Sequence, residues 1–220
     1  MKPLRVHITL RTPMMEPANL FHLDGLLAAL RVQRAEAELG AVDPRDWHHD
    51  LPLARYTSPS GSWVFQASVF RLNREGEGRL WPISGGINTT TAAEHRAAGV
   101  LLLRSGKPNP AGGHFKGSFF NKPILWTELE GWCVGDKAQV ESLLSECRQV
   151  GGRRGTGFGR VETITVEEVE EAACRWFDRA LPADYSGPGQ EELVGMIGGL
   201  RPPYWDRTLH EPVGVPQQVV

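Results

Sequence analysis

The chain has 220 residues, a net charge of −2, 40% hydrophobic and 23% charged residues, 25 Gly and 16 Pro. This is the composition of a turn-rich globular protein of one large or two small domains. It excludes a disordered or collagen-like chain, and no apolar run approaches the ~18 residues that a helical bilayer span requires.

From the N-terminus, Leu4, Val6, Ile8 and Leu10 alternate with Arg5, His7 and Thr9, predicting a half-buried strand that Pro13 ends. No signal-peptide core precedes it, and Cys133, Cys147 and Cys174 form no CxxC pair. A reducing cytoplasm is therefore expected, with neither a disulfide framework nor a Cys-rich zinc site. Leu23, Leu26, Leu27 and Leu30 mark an amphipathic helix over 23–39, closed by Gly40. Residues 41–61 read as irregular and contain His48-His49-Asp50, taken as a solvated loop because no third metal ligand follows at helical spacing. A long strand is predicted over 62–72, then a Gly- and Pro-rich, hairpin-like insertion over about 73–122. Residues 124–134 form a strand, and Asp136 caps a second helix over 137–150 with Val140, Leu143, Leu144 and Cys147 inward. A Gly-rich loop, 151–159, leads into the strand 160–166.

The order is strand, helix, strand, insertion, strand, helix, loop, strand. It predicts an α+β fold: a ferredoxin-like βαββαβ core over about 3–166 in a single domain of 1–220, with a C-terminal extension over 167–220. The three Cys are expected as small core residues, and Trp63, Trp126 and Trp132 as core. Trp81 and Trp205 fall in irregular stretches where base stacking or partner contact is open to them.

Charge is segregated along the chain. Residues 97–127 contain no acid but hold Arg104, Lys107, His114, Lys116 and Lys122. Residues 148–161 are again acid-free and hold Arg148, Arg153, Arg154 and Arg160. A near-neutral protein can in this way present a local phosphate-binding face. The loop Gly151-Gly-Arg-Arg-Gly-Thr-Gly-Phe-Gly159 follows a helix and precedes a strand. A dinucleotide loop has the reverse order, and no Walker Gly-Lys-Ser/Thr is present, so no cofactor is called for. Gly155 and Gly157 would let a nucleic-acid backbone approach, the Arg forks would bind its phosphates as it lay over the sheet, and Phe158 would either stack on a base or pack beneath the loop.

That loop, with basic residues and an aromatic near its end, resembles the RAMP superfamily of CRISPR-associated RNA-binding proteins. Phe21-His-Leu-Asp-Gly-Leu-Leu-Ala28 and Arg201-Pro-Pro-Tyr-Trp205 sharpen the likeness toward the type IV effector subunits related to the Cas-five group. The resemblance implies a non-catalytic subunit that caps the crRNA 5′ handle and contacts backbone and large subunits near the flanking motif of the target DNA. Arg104–Lys122 would be a thumb-like insertion, with His114, Lys116 and Lys122 as a second basic element, and no membrane partner is implied. Related nucleases often place a catalytic His beside the first helix, where His22 stands, so a metal-independent crRNA-processing endoribonuclease is the alternative. His22 would otherwise be packed or bonded to Asp24; His114 with Lys116, and Tyr56, are further cleavage candidates. A protein-only scaffold whose basic loops meet an acidic partner is a third reading.

Overall fold

The computed structural model describes residues 1–15, 20–76, 81–84, 118–121, 125–152 and 154–217. It is an α+β fold with antiparallel sheets, and it divides into one unit of residues 1–76 and 125–220 and another of 77–124. No helix among the described residues is long and apolar enough to cross a membrane.

The central sheet uses β1 (Lys2–Met15), β4 (Arg71–Gly76), β7 (Leu125–Gly135) and β8 (Val161–Glu168) in the order β4-β7-β1-β8. Helix α1 (Leu23–Leu39) lies between β1 and β4 in the chain, and α3 (Lys137–Leu144) between β7 and β8. Two strand–helix–strand units thus interleave, each enclosing one strand of the other. The alternation in β1 sends Leu4, Val6 and Ile8 to a core shared with Leu23, Leu27 and Leu30 of α1 and Val140, Leu143 and Leu144 of α3. Both helices therefore cover one face of the sheet and leave the other open.

Several boundaries differ from expectation. Pro13 does not end β1, because the register is irregular between Thr9 and Met14, where no ladder donor is needed from it. The stretch 62–72 is not one strand: β3 (Trp63–Phe65) pairs with β2 (Arg55–Thr57), and β4 begins only at Arg71. Between them, Ala67, Ser68, Val69 and Phe70 are all buried, which no two-faced strand would show. The second helix stops at Leu144 rather than 150, its last turn tightening as Glu146 N–H bonds to Leu143 O. Cys147 and Val150 stay buried beyond its end. Helix α1 spans its expected residues and ends at Gly40, whose φ of +83° favours glycine and whose N–H bonds to Glu36 O.

A one-turn helix α2 (Pro44–Trp47), capped by Asp43, lies in the stretch expected to be irregular. The C-terminal extension does not join the central sheet. It builds its own from β9 (Leu181–Pro182), β10 (Leu193–Gly199) and β11 (His210–Pro216), in the order β10-β11-β9. Its core gathers Leu181, Tyr185, Leu200, Val213 and Val215 against Val64. In the other unit, β5 (Trp81–Ser84) and β6 (Ser118–Asn121) form an antiparallel ladder, so the backbone of Trp81 is in a strand.

Candidate nucleic-acid interface

The described residues of the Gly-rich loop are tied by hydrogen bonds to the end of β1. Thr12 Oγ1 donates to Gly157 O at 2.7 Å and accepts from Arg160 N–H at 2.9 Å. Gly159 N–H bonds Pro13 O, Arg11 N–H bonds Arg160 O, and Val150 N–H bonds Gly159 O. Gln149 Nε2 holds Arg154 O at 3.1 Å.

The glycines divide by role. Gly159 has φ +67°, and a Cβ there would lie 1.9 Å from Val150 O, so the fold itself requires this glycine. A Cβ on Gly155 would meet nothing within 4 Å. Its lack of a side chain answers no need of the chain and leaves the backbone open to a ligand.

Around this turn, Arg148, Arg154 and Arg160 are exposed, and so is Arg11 of β1, which lies outside both acid-free stretches of the sequence. None of the four has a carboxylate partner among the described residues. Phe158 is buried with Met15 and Leu125, so of its two readings it packs beneath the loop; as placed, it is not available to a base. Arg153, His114, Lys116 and Lys122 lie outside the described residues, as does nearly all of the expected thumb.

The open face of the sheet is a poor bed for phosphates, contrary to the expectation of a strand laid across it. Its inter-strand register brings Arg5, His7 and Thr9 beside Glu128, Glu130 and Trp132 on one side and Thr163, Thr165 and Glu167 on the other. Arg5 is taken by Glu167 at 2.6 Å and Glu130 at 3.7 Å. Arg71 covers Trp132 at 5.1 Å and is held by buried Asp178 at 2.9 Å. Three carboxylates and a covered aromatic repel phosphate and offer no ring for stacking.

His22 caps α1 by position but not by hydrogen bond. Its ring is buried and stacked on Tyr204, centroids 3.9 Å apart, and Nδ1 has no partner among the described residues. Burial, reinforced by the positive Arg179, holds its pKa well below the usual imidazole value, so the ring is neutral. It does not bond Asp24, whose carboxylate instead accepts from Tyr204 Oη (2.8 Å), Arg179 Nη1 (3.0 Å) and Gly25 N–H (2.9 Å). Arg179 is wholly buried and also donates to the carbonyls of Phe65, Ala67, Ala180 and Leu200 and to Tyr204 Oη. Burial pushes Asp24 toward the neutral acid, but three converging donors, one of them a guanidinium, keep it ionised. The clasp joins the 21–28 and 201–205 segments, which stood out separately in the sequence. Tyr56 packs on Trp176 and Tyr185.

His48-His49-Asp50 is a turn whose second and third residues are exposed, as expected of a solvated loop, but it is tied down by contacts. His48 is buried, His49 meets the edge of Trp63 and bonds Pro202 O, and Asp50 pairs with Arg31 at 2.7 Å. Trp132 is buried as expected, whereas Trp63 and Trp126 are only half-buried. The guanidiniums of Arg55 and Arg201 lie 4.3 Å and 4.7 Å from the centre of the Trp63 ring. The three cysteines are buried.

A comparison with protein families matches residues 2–216 to CRISPR type IV associated protein Csf3. The chain belongs to that family. No curated protein matches it.

Proposed function

We propose that this type IV CRISPR-associated chain is a non-catalytic RNA-binding subunit of the ribonucleoprotein, with a RAMP-type ferredoxin-like core, gripping the crRNA 5′ handle at the Gly-rich turn. The observation that carries the reading is the turn itself: a backbone locked by internal hydrogen bonds that displays Arg148, Arg154, Arg160 and Arg11 with no described carboxylate to satisfy them. Fixed, solvated guanidiniums beside an open glycine suit an RNA backbone. The interleaved order β4-β7-β1-β8, with both helices on one face, supports the ferredoxin-like assignment. On this reading the RNA follows the Arg-rich end of β8 rather than the acidic open face. The subunit contributes handle shape, while base pairing with guide RNA reads the target DNA near its flanking motif, beside the backbone and large subunits. His22 supports the non-catalytic form, because a ring stacked on Tyr204 has no open path to a 2′-hydroxyl.

The test uses purified protein and labelled repeat-derived RNA in EDTA, run on native and denaturing gels. Wild-type protein should shift the RNA uncut. The Arg154→Ala/Arg160→Ala variant should bind about 10-fold more weakly, with its log–log salt slope reduced by about 1.4, the value for two phosphate contacts on a single strand. Unchanged affinity and slope would remove the turn from the interface. A discrete cut lost in His22→Gln would make the endoribonuclease reading primary.

A further inference from the structure

Apart from Met1 and Leu39, every large apolar side chain that the described residues leave more than about a third exposed falls between 194 and 209: Val194, Met196, Ile197, Trp205 and Leu209. Trp205 is 67% and Ile197 65% exposed. The register places Ile197, Leu209 and Trp205 toward one end of the sheet, while alternation along β10 sets Val194 and Met196 on the face opposite Ile197. Gly199 pairs with His210, which sets Leu209 at the end of β10, and His210 Nε2 meets Tyr204 O at 3.2 Å, anchoring the turn that carries Trp205 at the same end. Arg45 lies over Trp205 at 5.8 Å and is braced by Asp206.

Among the described residues, β10 is an edge strand, paired only with β11. Its sequence, Leu-Val-Gly-Met-Ile-Gly-Gly, holds no charge and no proline from 193 to 199. Soluble proteins normally blunt such an edge with a lysine, a proline or a bulge, because its free N–H and C=O groups are a template for another strand. Here the edge is bare and lined with apolar groups, and it ends at a Trp–Arg pair, the residue types that dominate binding energy at protein interfaces. The edge at β8, by contrast, carries Glu162, Glu167 and Glu168 and lacks this character.

We infer that the outer edge of β10, with Ile197, Leu209 and Trp205, is a docking site for an extended, uncharged segment of a neighbouring protein subunit, added to the C-terminal sheet as a further strand. Charge matching selects the occupant. An uncharged edge buries an uncharged strand at no electrostatic cost, whereas a flanking lysine or aspartate would lose its water with no counter-charge from β10. Nucleic acid is disfavoured as well, since residues 193–200 offer no cation to a phosphate and Arg45 beside Trp205 is already paired with Asp206. The inference rests on the reading of this chain as one subunit of a type IV complex, and on a surface apart from the Gly-rich turn in sequence and sheet.

The experiment co-expresses the full chain with the other protein subunits of its type IV complex and a guide RNA, and reads assembly by size exclusion. Amide exchange of the 193–199 peptide is followed in the free and assembled protein. We expect Ile197→Asp and, separately, Trp205→Ala to unfold at the wild-type temperature and to lower incorporation at least 10-fold, while binding isolated repeat RNA as wild type does. Exchange of residues 193–199 should slow on assembly. Wild-type assembly of both variants, or unchanged exchange, overturns the proposal. A wild-type dimer in sedimentation that Ile197→Asp dissolves overturns it in favour of a second copy. Loss of RNA binding in Trp205→Ala with assembly intact overturns it in favour of nucleic acid. If wild-type protein binds no RNA yet these variants still drop out of the complex, the handle-binding reading fails and the docking site stands.

Discussion

Arg179 and the four arginines around the Gly-rich turn are the same residue type placed under opposite conditions. Arg179 is fully buried, and Asp24, Tyr204 and four main-chain carbonyls use its donors. Arg11, Arg148, Arg154 and Arg160 point to solvent with no described carboxylate at hand. The difference teaches that an arginine's job is read from its acceptors rather than from its charge. Where the chain supplies them all, the residue holds the fold; where it supplies no carboxylate, the guanidinium stays open to the phosphate contact proposed above. Both groups sit on backbone fixed by hydrogen bonds, so exposure at the turn is not a sign of looseness.

The contrast is broken most forcefully at Arg179. Arg179→Met would leave ionised Asp24 buried without its countercharge and strip donors from the carbonyls of Phe65, Ala67, Ala180 and Leu200. Removing one partner of a buried ion pair costs about 3–5 kcal/mol, a large part of a domain's stability. Urea denaturation should show that loss, whereas Arg154→Ala in the same assay should stay within about 0.5 kcal/mol of wild type. Comparable losses for the two would end the distinction between them.

The turn contains a smaller version of the same contrast. Gly159→Ala would force a side chain into a left-handed backbone and onto Val150 O, costing about 2–4 kcal/mol in strain and overpacking. Gly155→Ala adds a methyl into open space, so its stability should match wild type within about 0.5 kcal/mol. Thermal unfolding of both variants, followed by the RNA gel on Gly155→Ala, separates scaffold from contact. A folded Gly155→Ala with weakened RNA binding places the ligand at that backbone; undiminished binding places it on the guanidiniums alone.

How much of this was legible beforehand follows from the range of the interactions. Helix α1 was readable to the residue because its leucine spacing and Gly40 are local signals. The break within 62–72 was not, because Ala67 and Val69 are placed by bridges to Cys133 and His22, far off in sequence. The loop could be found from composition, yet nothing local distinguishes Gly155 from Gly159; what separates them is the distance to Val150 O. The clasp was the deepest omission. Asp24 and Arg179 are 155 positions apart, and Asp24 and Tyr204 are 180 apart. The one local hint was a charge set among apolar neighbours, as in Phe-His-Leu-Asp-Gly-Leu-Leu and Arg-Ala-Leu, where a buried partner is the economical explanation.

The smallest expected effect tests the clasp from its histidine. His22 is neutral in the fold because burial, and then the charge of Arg179, depress its pKa well below the unfolded value near 6.5. Above about pH 6.5 neither state protonates the ring, and it imposes no penalty. As pH falls below that value the unfolded chain takes up a proton that the folded chain refuses, so stability declines by about 1.4 kcal/mol per pH unit until the folded pKa is reached. His48 and His49 are also depressed by burial, though less enclosed, and contribute in the same direction. The informative quantity is therefore a difference. Urea denaturation of wild type and His22→Phe between pH 7.5 and pH 5 should give a shallower decline in the variant, since phenylalanine keeps the stack on Tyr204 and removes the titrating nitrogen. Parallel pH profiles would mean that His22 is charged or solvated in the folded state, and would reopen its access to RNA.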